Sequence, residues 1–157
     1  MTAPLIRFAT PEDASTITEF NAAMARETEH IELDLDRLRA GVDNLIADPA
    51  RGFYLVAELD TRLAGQLMIT YEWSDWRNAT FWWIQSVYIH PDFRRQGIFR
   101  SLYADITRRA RADPGVCGIR LYVERENHRA QAAYAALGMR HAGYEMFEVD
   151  FVLRRSA

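Results

Sequence analysis

Val87-Tyr88-Ile89-His90-Pro91-Asp92-Phe93-Arg94-Arg95-Gln96-Gly97-Ile98-Phe99-Arg100-Ser101-Leu102-Tyr103 reads as the end of a strand, a tight loop and the start of a helix. The run Ile84 to Ile89 is apolar, β-branched and aromatic, which suits a strand. Pro91 pushes the residue before it out of the α region, so the strand ends near His90. From Gly97 onward Ile98, Phe99, Leu102, Tyr103, Ile106 and Ala110 recur every three or four residues, the pattern of a helix with one buried stripe. Arg94 to Gly97 therefore sits at a helix N-terminus, where main-chain N–H groups and the positive end of the dipole attract anions. Gly97 lets an anion approach the backbone, and Arg94, Arg95 and Arg100 surround it with cationic side chains. On residue chemistry alone, the turn is either a phosphate cradle or a solvated basic cap on an ordinary helix.

The chain around this stretch has 157 residues, one domain's worth and enough to enclose a core. Hydrophobic residues make up 49% and charged residues 26%, with no repeat or low-complexity run, which excludes a disordered chain. The net charge of −3 gives no overall field favouring nucleic acid or an anionic membrane. Cys117 is the single cysteine and forms no internal disulfide, and Met1-Thr2-Ala3-Pro4 lacks a signal-peptide pattern. With no apolar run of membrane-spanning length, the expectation is a cytoplasmic protein without membrane contact. No Gly-x-x-x-x-Gly-Lys-[Ser/Thr] loop is present, which disfavours a nucleotide-hydrolysing enzyme.

In chain order, Leu5 to Ala9 is a short strand, and Thr10-Pro11-Glu12-Asp13 starts a helix with a capping Thr, Pro at the first position and an acidic capping-box residue. Ala14, Ile17, Phe20, Asn21 and Met24 trace its buried face; Leu35, Leu38, Val42, Leu45 and Ile46 trace that of a second helix. The link Glu27-Thr28-Glu29-His30 either lines a substrate mouth or is simply solvated. Phe53 to Leu59 and Leu63 to Tyr71 form a hairpin about Asp60-Thr61-Arg62. A polar loop, Glu72 to Asn78, leads to the strand Thr80 to His90. Trp82 and Trp83, one on each strand face, read as packing residues. Trp73 and Trp76, beside Glu72 and Asp75, either hold a cationic amine or anchor their own loop. The helix Ile98 to Ala112 stops at Pro114-Gly115, Gly118 to Glu124 is a strand, and a helix follows from Asn127 as N-cap to Gly138. Tyr144 to Val152 alternates as a last strand, and Arg154-Arg155 reads as a solvated tail. This order predicts an α/β (α+β mixed) fold: a twisted mixed sheet of six to seven strands flanked by about four helices on both faces.

Val-Tyr-Ile-x-Pro-x-x-Arg-Arg-x-Gly-Ile ahead of an apolar-striped helix resembles the acyl-coenzyme A loop of the GNAT N-acetyltransferases. The resemblance implies the GNAT acyl-CoA N-acyltransferase fold, one domain over residues 1–157, with the cofactor between the Thr80–His90 and Gly118–Glu124 strands. It puts the pyrophosphate of coenzyme A on Arg94, Arg95, Gln96, Gly97, Ile98, Phe99 and Arg100, and the pantetheine along Val87, Tyr88 and Ile89. Asn127-x-x-Ala130-x-x-x-Tyr134 resembles the second GNAT signature, which implies that Asn127 contacts the cofactor and that the Tyr134 hydroxyl protonates the departing sulfur. Their spacing puts both on one helix face, about 10 Å apart. Beside Ala130, Ala133 and Leu137, Tyr134 on its own reads as a core tyrosine.

Two departures stand out. Phe99 occupies a place where the family usually has Gly or Ala, and no Asp or Glu occurs from Ala79 to His90, where many relatives carry a glutamate base. Glu27, Glu29, Glu72, Asp75 or an ordered water chain are left as candidate bases, with Glu27 and Glu29 in the region that commonly borders the acceptor. Trp73, Asp75, Trp76 and Gln85 are the candidate acceptor contacts. The activity implied is acetyl transfer from acetyl-CoA, with no metal, to a primary amine of a small molecule or protein by direct attack in a ternary complex. The partners implied are acetyl-CoA and that amine, with no nucleic acid; a homodimer is compatible with the resemblance. The alternative is a non-catalytic acyl-CoA-binding sensor, which the absent strand glutamate favours and Tyr134 disfavours.

Overall fold

The computed structural model describes residues 2–153, so the expected Arg154-Arg155 tail lies outside the described residues. The chain divides into two compact units, Met1–Tyr122 and Val123–Ala157.

The first unit is a five-stranded mixed sheet in the order β1-β2-β3-β4-β5. These are β1 (Leu5–Phe8), β2 (Gly52–Leu59), β3 (Arg62–Ser74), β4 (Ala79–Ile89) and β5 (Val116–Arg120). The first four pair antiparallel and β5 pairs parallel to β4. β2 and β3 turn over on Asp60 and Thr61, both at positive φ, the backbone of a two-residue type I′ hairpin. Alternation along β2 sends residues to two cores. Leu55 and Ala57 join Leu67, Ile69 and Ile84 under α3 (Ile98–Ala112), which contributes Ile98, Leu102 and Ile106. Tyr54 and Val56 face the other way, against Ala14 and Ile17 of α1 (Ala14–Glu29) and Val42 of α2 (Leu35–Ala47). Each fully buried Leu or Ile contributes about 2 kcal/mol relative to exposure, so the two layers hold the sheet from both faces.

Capping follows the sequence. A short 3-10 turn, Pro11–Asp13, precedes α1, and the Thr10 amide donates to Asp13 Oδ2 at 2.8 Å. Arg7 donates to the two Asp13 oxygens at 2.8 and 3.0 Å and to Glu58 at 2.9 Å, clamping β1 to the helix start and to β2. Glu27 and Glu29, expected in a link, lie instead in the last turn of α1, which ends on His30 in the left-handed region. Nothing in Glu27-Thr28-Glu29 breaks a helix; the stop comes one residue later.

The second unit contains α4 (His128–Ala136), capped by Asn127, whose side chain accepts from the Ala130 amide at 3.1 Å. Two strand expectations fail here. The expected Gly118–Glu124 strand ends at Arg120, because its ladder with β4 stops at the Trp83–Arg120 pair. Residues 144–152 form no strand, so among the described residues the sheet has five strands rather than six or seven. Alternation makes a two-faced ribbon, but a strand exists only where another backbone takes its N–H and C=O groups. Here Phe147 and Phe151 are 91% and 90% exposed. Among the described residues no helix is long and apolar enough to cross a membrane.

Candidate acyl-CoA site

β4 leads into the turn through His90, whose Nδ1 accepts from the Asp92 amide at 3.1 Å, and through buried Phe93, which pins the turn to the core. Arg95 and Gly97 both take positive φ, +63° and +76°, which swings the chain into α3. A Cβ built at Gly97 meets nothing within 4 Å, so the space in front of that backbone is open to a ligand. Ser101 donates the first helical bond back to Gly97 at 3.0 Å, and the amides ahead of it point out of the helix end. Arg95 and Arg100 are exposed there. An open glycine, a helix N-terminus and two exposed guanidinium groups fit a pyrophosphate. Phe99, the unusual residue, pairs with Tyr103 one turn along α3, ring centroids 6.1 Å apart.

Arg94 is placed differently from its neighbours. Its Nε donates to the Ile89 carbonyl at 3.0 Å and its terminal nitrogen to Glu27 Oε2 at 2.8 Å. Glu27 Oε1 accepts from the Tyr88 hydroxyl at 3.0 Å. The Tyr88 ring is buried against Phe20, 5.1 Å away, and burial first, then the Glu27 bond, push its phenol pKa up. Three residues expected in the site, Glu27, Tyr88 and Arg94, are thus brought together, but as a clamp joining α1 to the turn.

The acceptor candidates scatter. Trp73 and Trp76 are 62% and 86% exposed, Asp75 Oδ1 accepts from the Trp76 amide at 2.9 Å, and Glu72 pairs with Arg120. Arg120 and Arg77 lie over the Phe81 ring at 3.7 and 4.8 Å, so the chain's own guanidinium groups occupy the aromatic face nearby. Trp82 and Trp83 are both half-buried and each meets a ring, Trp82 edge-on to Phe53 and Trp83 against Tyr122 at 6.0 Å. Gln85 donates to the Thr70 hydroxyl at 2.6 Å on the same sheet face as Trp83. In the second unit, Tyr134 is half-buried, and burial raises its phenol pKa.

One feature of β4 escaped the sequence reading. Gln66 pairs with Tyr88 and Met68 with Gln85, so Ser86 and Val87 together oppose Leu67: a β-bulge, with Ser86 at φ +51°. The Ser86 carbonyl accepts from Gln66 Nε2 at 3.1 Å. Gln66 Nε2 also donates to Asn21 Oδ1 on α1 at 3.0 Å, and Asn21 Nδ2 reaches the Tyr54 hydroxyl at 3.4 Å. Burial pushes the Tyr54 phenol up, so it stays neutral within this chain of bonds. Gln66 is fully buried and its Oε1 has no hydrogen-bond partner. An unpaired buried amide oxygen costs about 1–3 kcal/mol, which offsets part of what the two Nε2 bonds contribute. The sequence did hold a signal: Gln66 interrupts the apolar run Leu63 to Ile69, and Asn21 lies on the buried face of α1.

Comparison with known proteins agrees with this architecture. Residues 16–139 match the model of the acetyltransferase (GNAT) family. A structure described as a possible acetyltransferase from Clostridium difficile 630 is 43% identical, with 97% of this chain and 100% of that chain covered and a TM-score of 0.89. A predicted acetyltransferase with acetyl-CoA from Clostridium acetobutylicum shares the fold at 17% identity, covering 95% and 97% of the two chains with a TM-score of 0.75. So does AAC(6')-Iy in complex with the bisubstrate analogue CoA-S-monomethyl-acetylneamine, at 15% identity, 95% and 99% coverage and a TM-score of 0.73. A search of curated proteins finds no match. With a family model spanning most of its length and a 43% identical structure over nearly all of it, the chain belongs to the GNAT family of acetyltransferases.

Proposed function

We propose that this protein transfers the acetyl group of acetyl-CoA to a primary amine by direct attack, with both units serving one N-acetyltransferase domain. The observation that carries the reading is the open Gly97 turn at the N-terminus of α3, flanked by Arg95 and Arg100. Acetyl-CoA and the CoA-based analogue seen with the two distant relatives support it. In this reading the first-turn amides of α3, Arg95 and Arg100 hold the pyrophosphate, and the main chain of Val87 to Ile89 receives the pantetheine. Acetyl-CoA brings an activated thioester; the amine nitrogen bonds to its carbonyl carbon, the C–S bond breaks, and the sulfur takes a proton.

The chain supplies three services to that step. A main-chain N–H of the bulged β4 segment stabilises the carbonyl oxygen as it gains charge. Tyr134 gives the sulfur its proton; the raised phenol pKa keeps that proton in place across the neutral range. Deprotonation of the amine falls to an ordered water or to one of the acidic candidates, each of which, Glu29 included, is engaged by a neighbour. Glu27 has both oxygens engaged by Tyr88 and Arg94, Glu72 is paired with Arg120, and Asp75 closes its own turn.

A sensor that binds acyl-CoA without transfer is the second reading, favoured by the absence of any Asp or Glu from Ala79 to His90. A thiol-release assay with acetyl-CoA and a panel of polyamines, amino-acid derivatives, aminoglycosides and peptide amines separates the two. Thiol release matched by acetylated amine supports transfer. Acetyl-CoA binding with no release from any amine supports the sensor.

A further inference from the structure

The bulge in β4 is strained and yet buried in polar bonds. Ser86 is not glycine, and its φ of +51° lies in the left-handed region that side chains disfavour. A bulged residue leaves the sheet ladder, so its carbonyl needs another donor. That donor is Gln66, whose two Nε2 hydrogens serve the Ser86 carbonyl at 3.1 Å and Asn21 of α1 at 3.0 Å. The peptide between Ser86 and Val87 is planar and trans, as no peptide bond among the described residues is cis. Its N–H, on Val87, therefore points opposite to the carbonyl that Gln66 holds. Fixing one end of the peptide group fixes the other.

We infer that Gln66 is a positioning residue: it locks the Ser86–Val87 peptide of the bulge, and through Asn21 ties that peptide to α1. The inference rests on the acetyl-transfer reading for its consequence, since the peptide so locked lies in the segment assigned to the thioester. It accounts for an amide with an orphaned oxygen at a fully buried position where Met or Leu would fill the space. Its two donors are used; the unpaired oxygen is the cost of placing them. A residue kept only for packing has no need of donors.

The test uses the full chain and acetyl-CoA carrying carbon-13 at the thioester carbonyl. Gln66→Met keeps length and volume but removes both donors. Folded Gln66→Met binds acetyl-CoA within about threefold of wild type, while kcat falls about tenfold or more at nearly unchanged KM. The displacement of the carbon-13 signal on binding, which reads carbonyl polarisation without any turnover, shrinks by about half or more. Thr107→Val, which removes the other buried polar atom without a partner among the described residues, a hydroxyl on α3, leaves both readouts unchanged. Wild-type kcat and wild-type signal displacement in Gln66→Met overturn the inference, whatever happens to thermal stability.

If Gln66→Met does not fold, hydrogen exchange in the wild type decides. The Gln66 side-chain amide exchanges about a hundredfold or more slower than that of exposed Asn44 if both hydrogens are held. Equal exchange overturns the inference. Wild type that fails to bind acetyl-CoA sinks the transfer reading instead, and the exchange measurement still reports whether Gln66 locks the bulge.

Discussion

Glu27, in the last turn of α1, holds Arg94 of the phosphate turn at 2.8 Å across 67 residues of sequence, and its other oxygen takes the Tyr88 hydroxyl at 3.0 Å. The carboxylate that sequence position offers as a base is thus occupied in joining two elements. Arg94 is likewise a strut that also caps the Ile89 carbonyl, and the pyrophosphate site proposed for the turn is left with Arg95, Arg100 and the helix end.

Glu27→Ala should therefore weaken the structure modestly without removing the base. The Glu27–Arg94 pair is nearly half exposed, so its loss together with the Tyr88 bond costs about 1 kcal/mol. Turnover should fall by less than about tenfold, because losing a general base costs about 10²–10⁴. A drop of that larger size, with the acidic limb of the pH–rate profile gone, would assign the base to Glu27.

Arg7 offers a stability test independent of the site. Burial pushes the Asp13 carboxyl up, but the Arg7 and Thr10 hydrogen bonds outweigh it, and the net pKa is lowered. A lowered folded pKa contributes stability that is present above the unfolded value of about 3.9 and is lost as pH falls through the folded one. Arg7→Met should cost about 2 kcal/mol at neutral pH, a fall in Tm of roughly 4–8 °C. The variant should also lose less stability than wild type between about pH 4 and lower pH. Denaturant melts over that range check it; parallel curves would mean that Arg7 does not set the Asp13 ionisation.

Tyr134→Phe removes one hydroxyl and keeps the ring. Turnover should fall about 10²-fold or more with acetyl-CoA affinity little changed, as expected for a lost general acid. Near-full turnover across the pH range would mean that solvent delivers the proton and that Tyr134 is a packing residue.

Most of the element order was legible because its signals are local. The Thr10-Pro11 start, the stripe of α3 and the Asn127 cap each depend on a few neighbouring residues, and each lies where expected. The last strand was misread because Phe147, Val149 and Phe151 alternate correctly while pairing is non-local. The open Gly97 turn ahead of α3, with Arg95 and Arg100 exposed beside it, was readable from the motif. The Arg94–Glu27 clamp and the Gln66–Ser86 bond were not, since each joins side chains distant in sequence, and the bulge appears only as a register difference between two strands.

Acetyl-CoA is proposed to sit on the turn at the N-terminus of α3, and calorimetric titration of acetyl-CoA into wild type and Gly97→Val decides whether it does. At φ +76° any side chain is strained, so the variant should lose about 1 kcal/mol of stability, and it should remain folded because a Cβ there meets no protein atom. If the pyrophosphate approaches that backbone, the new side chain fills its place, and affinity falls tenfold or more, at least ~1.4 kcal/mol. Equal affinity in the folded variant and the wild type would contradict the placement of the cofactor on this turn.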